Sequence, residues 1–427
     1  MLTELLYEKN NYLTLLFWLA LGIFTGPLVY LAVPLHMFFL KNRGEWLWLL
    51  LGFWLVLTFS DSRQGIFAFA KNLKTAMMLM MGVLYFLMPT GKDPMKFVKP
   101  FIPFFIVAFV SLIGSPVAFT GFQKTVSYVL LLTVIPPLVD LLLTYERDRF
   151  LYHLVMVGVV VLSIGIALRF LSPGFVIFKG ERYSGLLGNP NGMGIYGFLF
   201  TVLFTYIHYF HRHLFTRNQV IFVYLVIFAS LVMAGSRGGL FSTALFVAAW
   251  FLIKRDAVMG FIVMALLFIS YQIILANFEA IVTSLGLADY FRLETLETGS
   301  GRVVVAEVAW ENIQKNYWFS HGFTYDEHVL AQYKEYFERH GHQGNVHNSW
   351  LTMWLNTGLV GLVLFSIGWL TGFIRASHHT PLVWALFFGM LISISVESWL
   401  TASLNPFTIV LVIILSMLGN EDFFGDG

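Results

Sequence analysis

The sequence predicts an all-α, polytopic membrane helix bundle with one large extracytoplasmic helical loop. Three observations carry that expectation. The 427-residue chain is 58% hydrophobic and 12% charged, with a mean hydropathy of +0.76, against about 25% charged in soluble domains. Apolar runs of about 15–25 residues recur along it, which is the length a bilayer crossing requires. One long polar interval, at 281–347, interrupts the series.

Taken in order, residues 12–40 are apolar but broken at Gly26-Pro27, so they form one long span or two short ones. Further candidates lie at 45–60, 72–89, 100–114, 124–143, 150–171, 190–210, 219–235, 238–253 and 257–280. Beyond the polar interval come 349–374, 380–397 and 401–419. The count is about 12–14 transmembrane helices. The expected organisation is an N-terminal transmembrane bundle (1–280), an extracytoplasmic loop with helices (281–347), and C-terminal transmembrane helices with a cytoplasmic tail (348–427). The N-terminus lacks the basic region of a cleaved signal, so the first apolar run is expected to be retained.

Lys and Arg in short loops set the orientation. Placing Arg147/Arg149, Arg212/Arg217, Lys254/Arg255 and Arg375 on the cytoplasmic side gives a self-consistent alternation. The connections 171–189, 235–238, 281–347 and 398–405 then fall on the other side. Lys41/Arg43 and Lys92/Lys96/Lys99 also read as cytoplasmic, whereas Arg63, Lys71 and Lys74 fit less well.

Within the polar interval, Ser300-Gly301-Arg302 leads into a helix over Val303–Asn316, with Ser300 as N-cap. A second helix is expected over Asp326–His340, with Asp326 and Glu327 near its positive end and Gly341 and Gly344 ending it. The interval also holds Glu294, Glu297, His321, His328, His342 and His347. His328 with His340-x-His342 raises the question of a metal, but no ligand spacing is set and a solvated histidine cluster is preferred. No metal and no cofactor is expected. The chain has no cysteine, which excludes disulfides, thiolate metal sites and cysteine nucleophiles. A net charge of +2 gives no reason to expect nucleic acid.

Three features fall on the non-cytoplasmic face. They are Arg182 through Gly192, containing Asn189-Pro190-Asn191; the turn Gly235-Ser236-Arg237-Gly238-Gly239; and Val346-His347-Asn348, where the polar interval re-enters the membrane. An arginine in a turn at membrane depth is costly unless paired or facing water. Flanking glycines let backbone N–H groups point where the guanidinium points. Arg182 and Arg237 are therefore candidates for a diphosphate clamp. Headgroup anchoring is the plainer use of Arg182, a turn that of Asn-Pro-Asn-Gly, and capping that of His347.

The ordered set resembles a known family. Arg182-x-x-Gly-x-x-x-Asn-Pro-Asn, Ser236-Arg237-Gly, Ser300-Gly301-Arg302 with Trp310, and His347-Asn348-Ser349-Trp350 followed by Gly358 and Gly361 are similar to the O-antigen ligase and O-antigen polymerase superfamily, over roughly residues 170–420. The resemblance implies an all-helical membrane glycosyltransferase of the GT-C-like type. It implies catalytic roles for Arg182, Arg237 and His347, and substrate contacts for Arg302, Asn189, Asn191 and Asn348. Tyr317-Trp318-Phe319-Ser320-His321-Gly322 departs from the family's Pro-x-x-Gly-x-Gly.

What the resemblance implies is a glycan donor on undecaprenyl diphosphate and an acceptor on lipid A-core or another glycan. The protein would be a multi-pass protein of the cytoplasmic membrane, surrounded by membrane lipid, with its site on the periplasmic face. Transfer would be inverting and metal-independent. Fixed cations would stabilise the leaving diphosphate, and His347 would accept the hydroxyl proton, an ordinary imidazole titrating near about 6.5. Trp310, Tyr317 and Trp318 are candidates for stacking on sugars. A ligase is preferred because the single large loop is late and the chain compact. A polymerase and a protein O-oligosaccharyltransferase are the near alternatives. A lipid-linked glycan transporter is the alternative of a different class. Transporters place ionisable groups near the midplane, whereas Asp140 and Glu397 here lie near expected span ends.

Overall fold

The computed structural model describes residues 8–87, 91–179, 182–276, 284, 302–339 and 344–425. The polar positions Glu294, Glu297, Ser300, Gly301, His340 and His342 lie outside them. Its main helices are α1 (Lys9–Thr25), α2 (Val29–Asn42), α3 (Trp46–Ser60), α4 (Ala68–Leu87), α5 (Ile102–Val110), α6 (Ala118–Leu171), α7 (Pro190–Phe210) and α8 (Arg217–Ala234). These are followed by α9 (Arg237–Arg255), α10 (Ala257–Ala276), α11 (Arg302–Lys315), α12 (Tyr325–Gln332), α13 (Lys334–Arg339), α14 (Ser349–Ser377), α15 (Val383–Val396) and α16 (Pro406–Leu418). A two-stranded ribbon, β1 (Ile177–Phe178) and β2 (Arg182–Tyr183), pairs antiparallel.

Seven helices among the described residues are long and apolar enough to cross a membrane, and four shorter apolar ones accompany them. The protein is an all-α, polytopic membrane protein. Gly26-Pro27 does interrupt the first run, as a short 3-10 turn between α1 and α2. The two runs expected at 124–143 and 150–171 are two helical stretches, written together as α6 and separated by a kink at the non-helical Glu146. The run at 100–114 is corrected: α5 has 9 residues, and at about 1.5 Å per residue it cannot cross the core alone. The helix expected over Asp326–His340 is two short ones, α12 and α13, because Tyr333 leaves helical geometry.

The chain divides into two compact units, each discontinuous in sequence. The first comprises Met1–Lys99, Val126–Thr243 and Ala402–Gly427; the second comprises Pro100–Thr125 and Ala244–Thr401.

In the first unit, α3 is apolar on every side and buried along nearly its whole length, as a helix surrounded by other helices must be. Side-chain contacts define two faces. On one, Arg149 bonds Glu8 at 2.7 Å and Glu45 at 2.9 Å, and also pairs with Glu146. His213 meets Asp148 at 2.9 Å on that face. These are the connectors expected on the cytoplasmic side. On the other face, Arg63 donates to the Ile177 carbonyl, Gln64 to Phe175 O at 2.6 Å, and Lys74 to Leu404 O at 2.9 Å. Arg63 and Lys74 therefore sit with the 171–189 and 398–405 connections. This is why they fit the cytoplasmic pattern poorly.

In the second unit, α14 is the hub. Phe101 meets Trp369 edge-on at 5.4 Å and Phe104 packs on Phe365 at 5.0 Å. The loop helix α11 is amphipathic: Val305, Val308, Ala309, Asn312 and Ile313 are its buried side, the i, i+3, i+4, i+7 spacing of one helix face. That side joins Leu330, Phe337, Val346 and Leu355 in one apolar cluster. Burying each large aliphatic or aromatic member there contributes about 1.5–3 kcal/mol. The described part of the polar loop, from 302 to 339, is thus a folded platform built on the start of α14.

Candidate functional site

The first unit gathers cations around helix N-termini. Asn189 caps α7, its side-chain oxygen accepting from Gly192 N at 2.8 Å, with Pro190 in the first turn. Ser236 caps α9, accepting from Gly239 N at 3.3 Å. Asn405 caps α16, accepting from the N–H groups of Phe407 at 2.9 Å and Thr408 at 2.7 Å. A Cβ added to Gly239 would lie 2.5 Å from Gly194 Cα, and one on Gly192 would lie 3.4 Å from Phe407 Cζ. Three helix N-termini therefore crowd together, each contributing the partial positive charge of a helix start.

Arg182, in β2, reaches across to the end of α8. Its Nε and one terminal nitrogen donate to Ala234 O at 3.2 and 3.1 Å, and that nitrogen also donates to Gly235 O at 3.0 Å. Gly235 closes α8 in the left-handed conformation, φ 56°, where glycine carries no Cβ penalty. Arg237 follows two residues later and opens α9. It is exposed and forms no hydrogen bond or ion pair with the described residues. The turn thus brings Arg182 to the segment that presents Arg237.

A half-buried carboxyl group lies beside this cationic face. Asp61, just past the end of α3, accepts from Gly188 N at 3.1 Å. Desolvation pushes its carboxyl above the ordinary range, while the Gly188 N–H, Lys74 and Lys71 pull the other way. Asp61 had no assigned role in the sequence, because nothing in the order of residues brings it to the Asn-Pro-Asn turn.

The second unit carries a different arrangement. His347 Nδ1 lies 2.8 Å from Glu397 Oε2, and Arg302 donates to Glu397 Oε1 at 3.1 Å and to Val396 O at 3.4 Å. Ser349 Oγ donates to the Glu397 carbonyl at 2.8 Å. His347 sits at φ 48°, a region sparsely used outside glycine and found at functional positions. A carboxylate accepting from Nδ1–H leaves the lone pair on Nε2. Asn348 caps α14, accepting from Leu351 N at 3.0 Å. Val346 and Ser398, which flank the pair in sequence, line a cleft of about 390 Å³ together with Asp326, Glu327, Lys334 and Phe337. Burial pushes the Asp326 carboxyl upward, and Lys124 opposes the shift.

Glu397 is the residue that sequence reasoning missed. The available signal was a carboxylate standing alone in the apolar stretch 380–419. Of the histidine cluster, His328 contacts Gln332 at 3.1 Å, and His340 and His342 lie outside the described residues. Among the described residues the three-ligand group is Asp148, His211 and His213, with ligand atoms within 4.8 Å of one another. It lies on the opposite face of the first unit from Arg182.

Comparison with known families adds one match. Residues 221–366 fit the family model of the O-antigen ligase. Over those residues the chain is similar to the O-antigen ligase family, which supports its resemblance to the O-antigen ligase and polymerase superfamily. No curated protein matches it. The matched segment contains Arg237, Arg302 and His347. The family implies a glycosyltransferase-like membrane enzyme working on a lipid-linked glycan and an acceptor.

Proposed function

We propose that this protein transfers a glycan from undecaprenyl diphosphate to a hydroxyl of lipid A-core, inverting the anomeric carbon, at the periplasmic face of the cytoplasmic membrane. The pairing of His347 with Glu397 at 2.8 Å supports this most directly. The acceptor oxygen attacks the anomeric carbon and passes its proton to His347 Nε2. The bond between the anomeric carbon and the diphosphate oxygen breaks, and its electron pair leaves on the lipid diphosphate. Glu397 holds the Nδ1–H tautomer and stabilises the imidazolium that forms. Arg302 fixes Glu397 through its other oxygen.

The leaving diphosphate gains charge, and stabilising that charge is the larger energetic demand. Arg237, without a partner among the described residues, and Arg182 beside it are the cations for that role, backed by the N–H groups of α7 and α9. Asn189 and Asn348 contribute by holding helix starts in place, and Asn191 lies in the same first turn of α7.

Purified protein, given an undecaprenyl-diphosphate-linked oligosaccharide with EDTA present, tests this. Lipid A-core and lipid-linked repeat units are offered as separate acceptors. Transfer to lipid A-core, lost in His347→Ala, is expected. Growth of chains on the lipid carrier would replace ligase by polymerase. Transfer to peptide hydroxyls alone would make it a protein glycosyltransferase. No transfer, with lipid translocation intact, would return the transporter.

A further inference from the structure

The segment Tyr317-Trp318-Phe319, where the chain departs from the family pattern, is docked onto a break in a membrane helix. Gly358 interrupts α14 at φ 73° and ψ 177°. The N–H groups freed there are taken by the loop: Leu359 N donates to Tyr317 O at 2.8 Å and Val360 N to Trp318 O at 3.2 Å. A Cβ on Gly358 would lie 2.4 Å from Trp318 O and 2.6 Å from Phe319 Cα. Non-helical backbone near membrane depth persists only where its polar groups find protein partners, and this loop supplies them.

The depth of the break follows from length. From Leu359 to Ser377 the helix rises about 28 Å at about 1.5 Å per residue. That matches the roughly 30 Å hydrocarbon core without the preceding turns. Arg375 marks the far end. Gly358 therefore lies at the hydrocarbon boundary on the loop side. At that level Trp318 and Phe319 are each 61% exposed. Val363, Ile367, Leu370 and Ile374 are exposed along one stripe of α14, and this stripe begins one turn beyond the residue whose N–H Trp318 accepts. Trp354 donates to Tyr317 O at 3.0 Å and meets the Tyr317 and Trp310 rings edge-on at 5.1 and 5.4 Å.

We propose that Trp318 and Phe319 form a wedge inserted among the acyl chains of the leaflet on the loop side. It anchors the platform to the bilayer at the level of the aromatic belt, about 5–10 Å below the headgroup surface. The occupant is bulk lipid, since the wedge continues the lipid-facing stripe of α14. The wedge sets the height of the platform, and α14 itself starts just after His347.

The absence of native cysteine makes the test direct. The full chain is reconstituted in phosphatidylethanolamine–phosphatidylglycerol vesicles and spin-labelled singly through Trp318→Cys or Phe319→Cys. Val363→Cys is the lipid-facing reference and Glu335→Cys, on the exposed side of α13, the aqueous one. Collisions with oxygen are expected to exceed those with a soluble nickel chelate at 318 and 319, as at 363, with the ratio inverted at 335. Nickel-dominated collisions at both 318 and 319 would overturn the proposal. So would a soluble oligosaccharide that shields either site, because the surface would then belong to sugar. Should the Trp318 variant fail to fold, Phe319→Cys carries the same readout.

Discussion

The two halves of the candidate chemistry differ in how their charges are balanced. Around Arg182 and Arg237 there are two guanidinium groups, neither paired with a carboxylate among the described residues. Arg182 is held by carbonyls at the end of α8, and Arg237 has no partner among the described residues. Around His347, Arg302 and the histidine share the two oxygens of Glu397. In the proposed mechanism the surplus positive charge of the first arrangement meets the leaving diphosphate. In the proposed mechanism the imidazole oriented by Glu397 receives the proton. The same residue types thus serve different purposes because of what stands opposite them.

The comparison predicts separable losses. His347→Ala should have the largest effect, lowering the transfer rate by about 10²–10⁴-fold while donor affinity stays unchanged. Rate and donor Kd, measured separately, check this. Glu397→Gln should cost on the order of 10²-fold in rate, because the amide no longer enforces the Nδ1–H tautomer. An unchanged rate would remove Glu397 from the mechanism.

The two arginines should then part company. Arg237→Ala should weaken donor binding by about tenfold or more with unfolding unaffected. Arg182→Ala should weaken donor binding and also destabilise by about 1–2 kcal/mol, since the carbonyls of Ala234 and Gly235 lose a charged donor. Denaturation in detergent alongside donor titration distinguishes them. Equal stability losses would mean the surplus-cation picture is drawn around the wrong residue.

The smallest effect concerns pH. Burial raises the Asp61 carboxyl in the folded state, so the native chain keeps this proton to higher pH than the unfolded chain. Stability contributed by the neutral form is present below the ordinary value of about 4 and is lost as pH rises through the folded-state value. Asp61→Asn preserves an acceptor for Gly188 N–H and cannot ionise. Its melting temperature should fall less between the ordinary and folded-state values than that of the native chain. Parallel slopes would show that Asp61 does not titrate differently on folding.

Much of this was legible in the sequence, for reasons of length and spacing. Span positions followed from apolar runs that a bilayer makes obligatory. The approach of Arg182 to the Gly235 turn followed from charge rules that put both on one face. The break in α14 and the pairing of His347 with Glu397 did not follow. The two residues are fifty positions apart, and the sequence carries no rule for which carboxylate folds onto which histidine. The misfit of Arg63 and Lys74 with the cytoplasmic pattern was informative in retrospect. These cations lie with the loops on the other face, where the first unit collects positive charge. Trp318 and Phe319 stood out only as a departure from the family, and their use became visible once the Gly358 break placed them at a depth.

The most direct test of the division between cationic clamp and oriented base is a single-turnover experiment on purified His347→Ala and Arg237→Ala, with donor binding measured beside glycan transfer. The expected result is that His347→Ala binds the lipid-diphosphate donor like the native protein and fails to transfer. Arg237→Ala should bind it weakly. Native rates of transfer in His347→Ala, or undiminished donor binding and transfer in Arg237→Ala, would contradict the account.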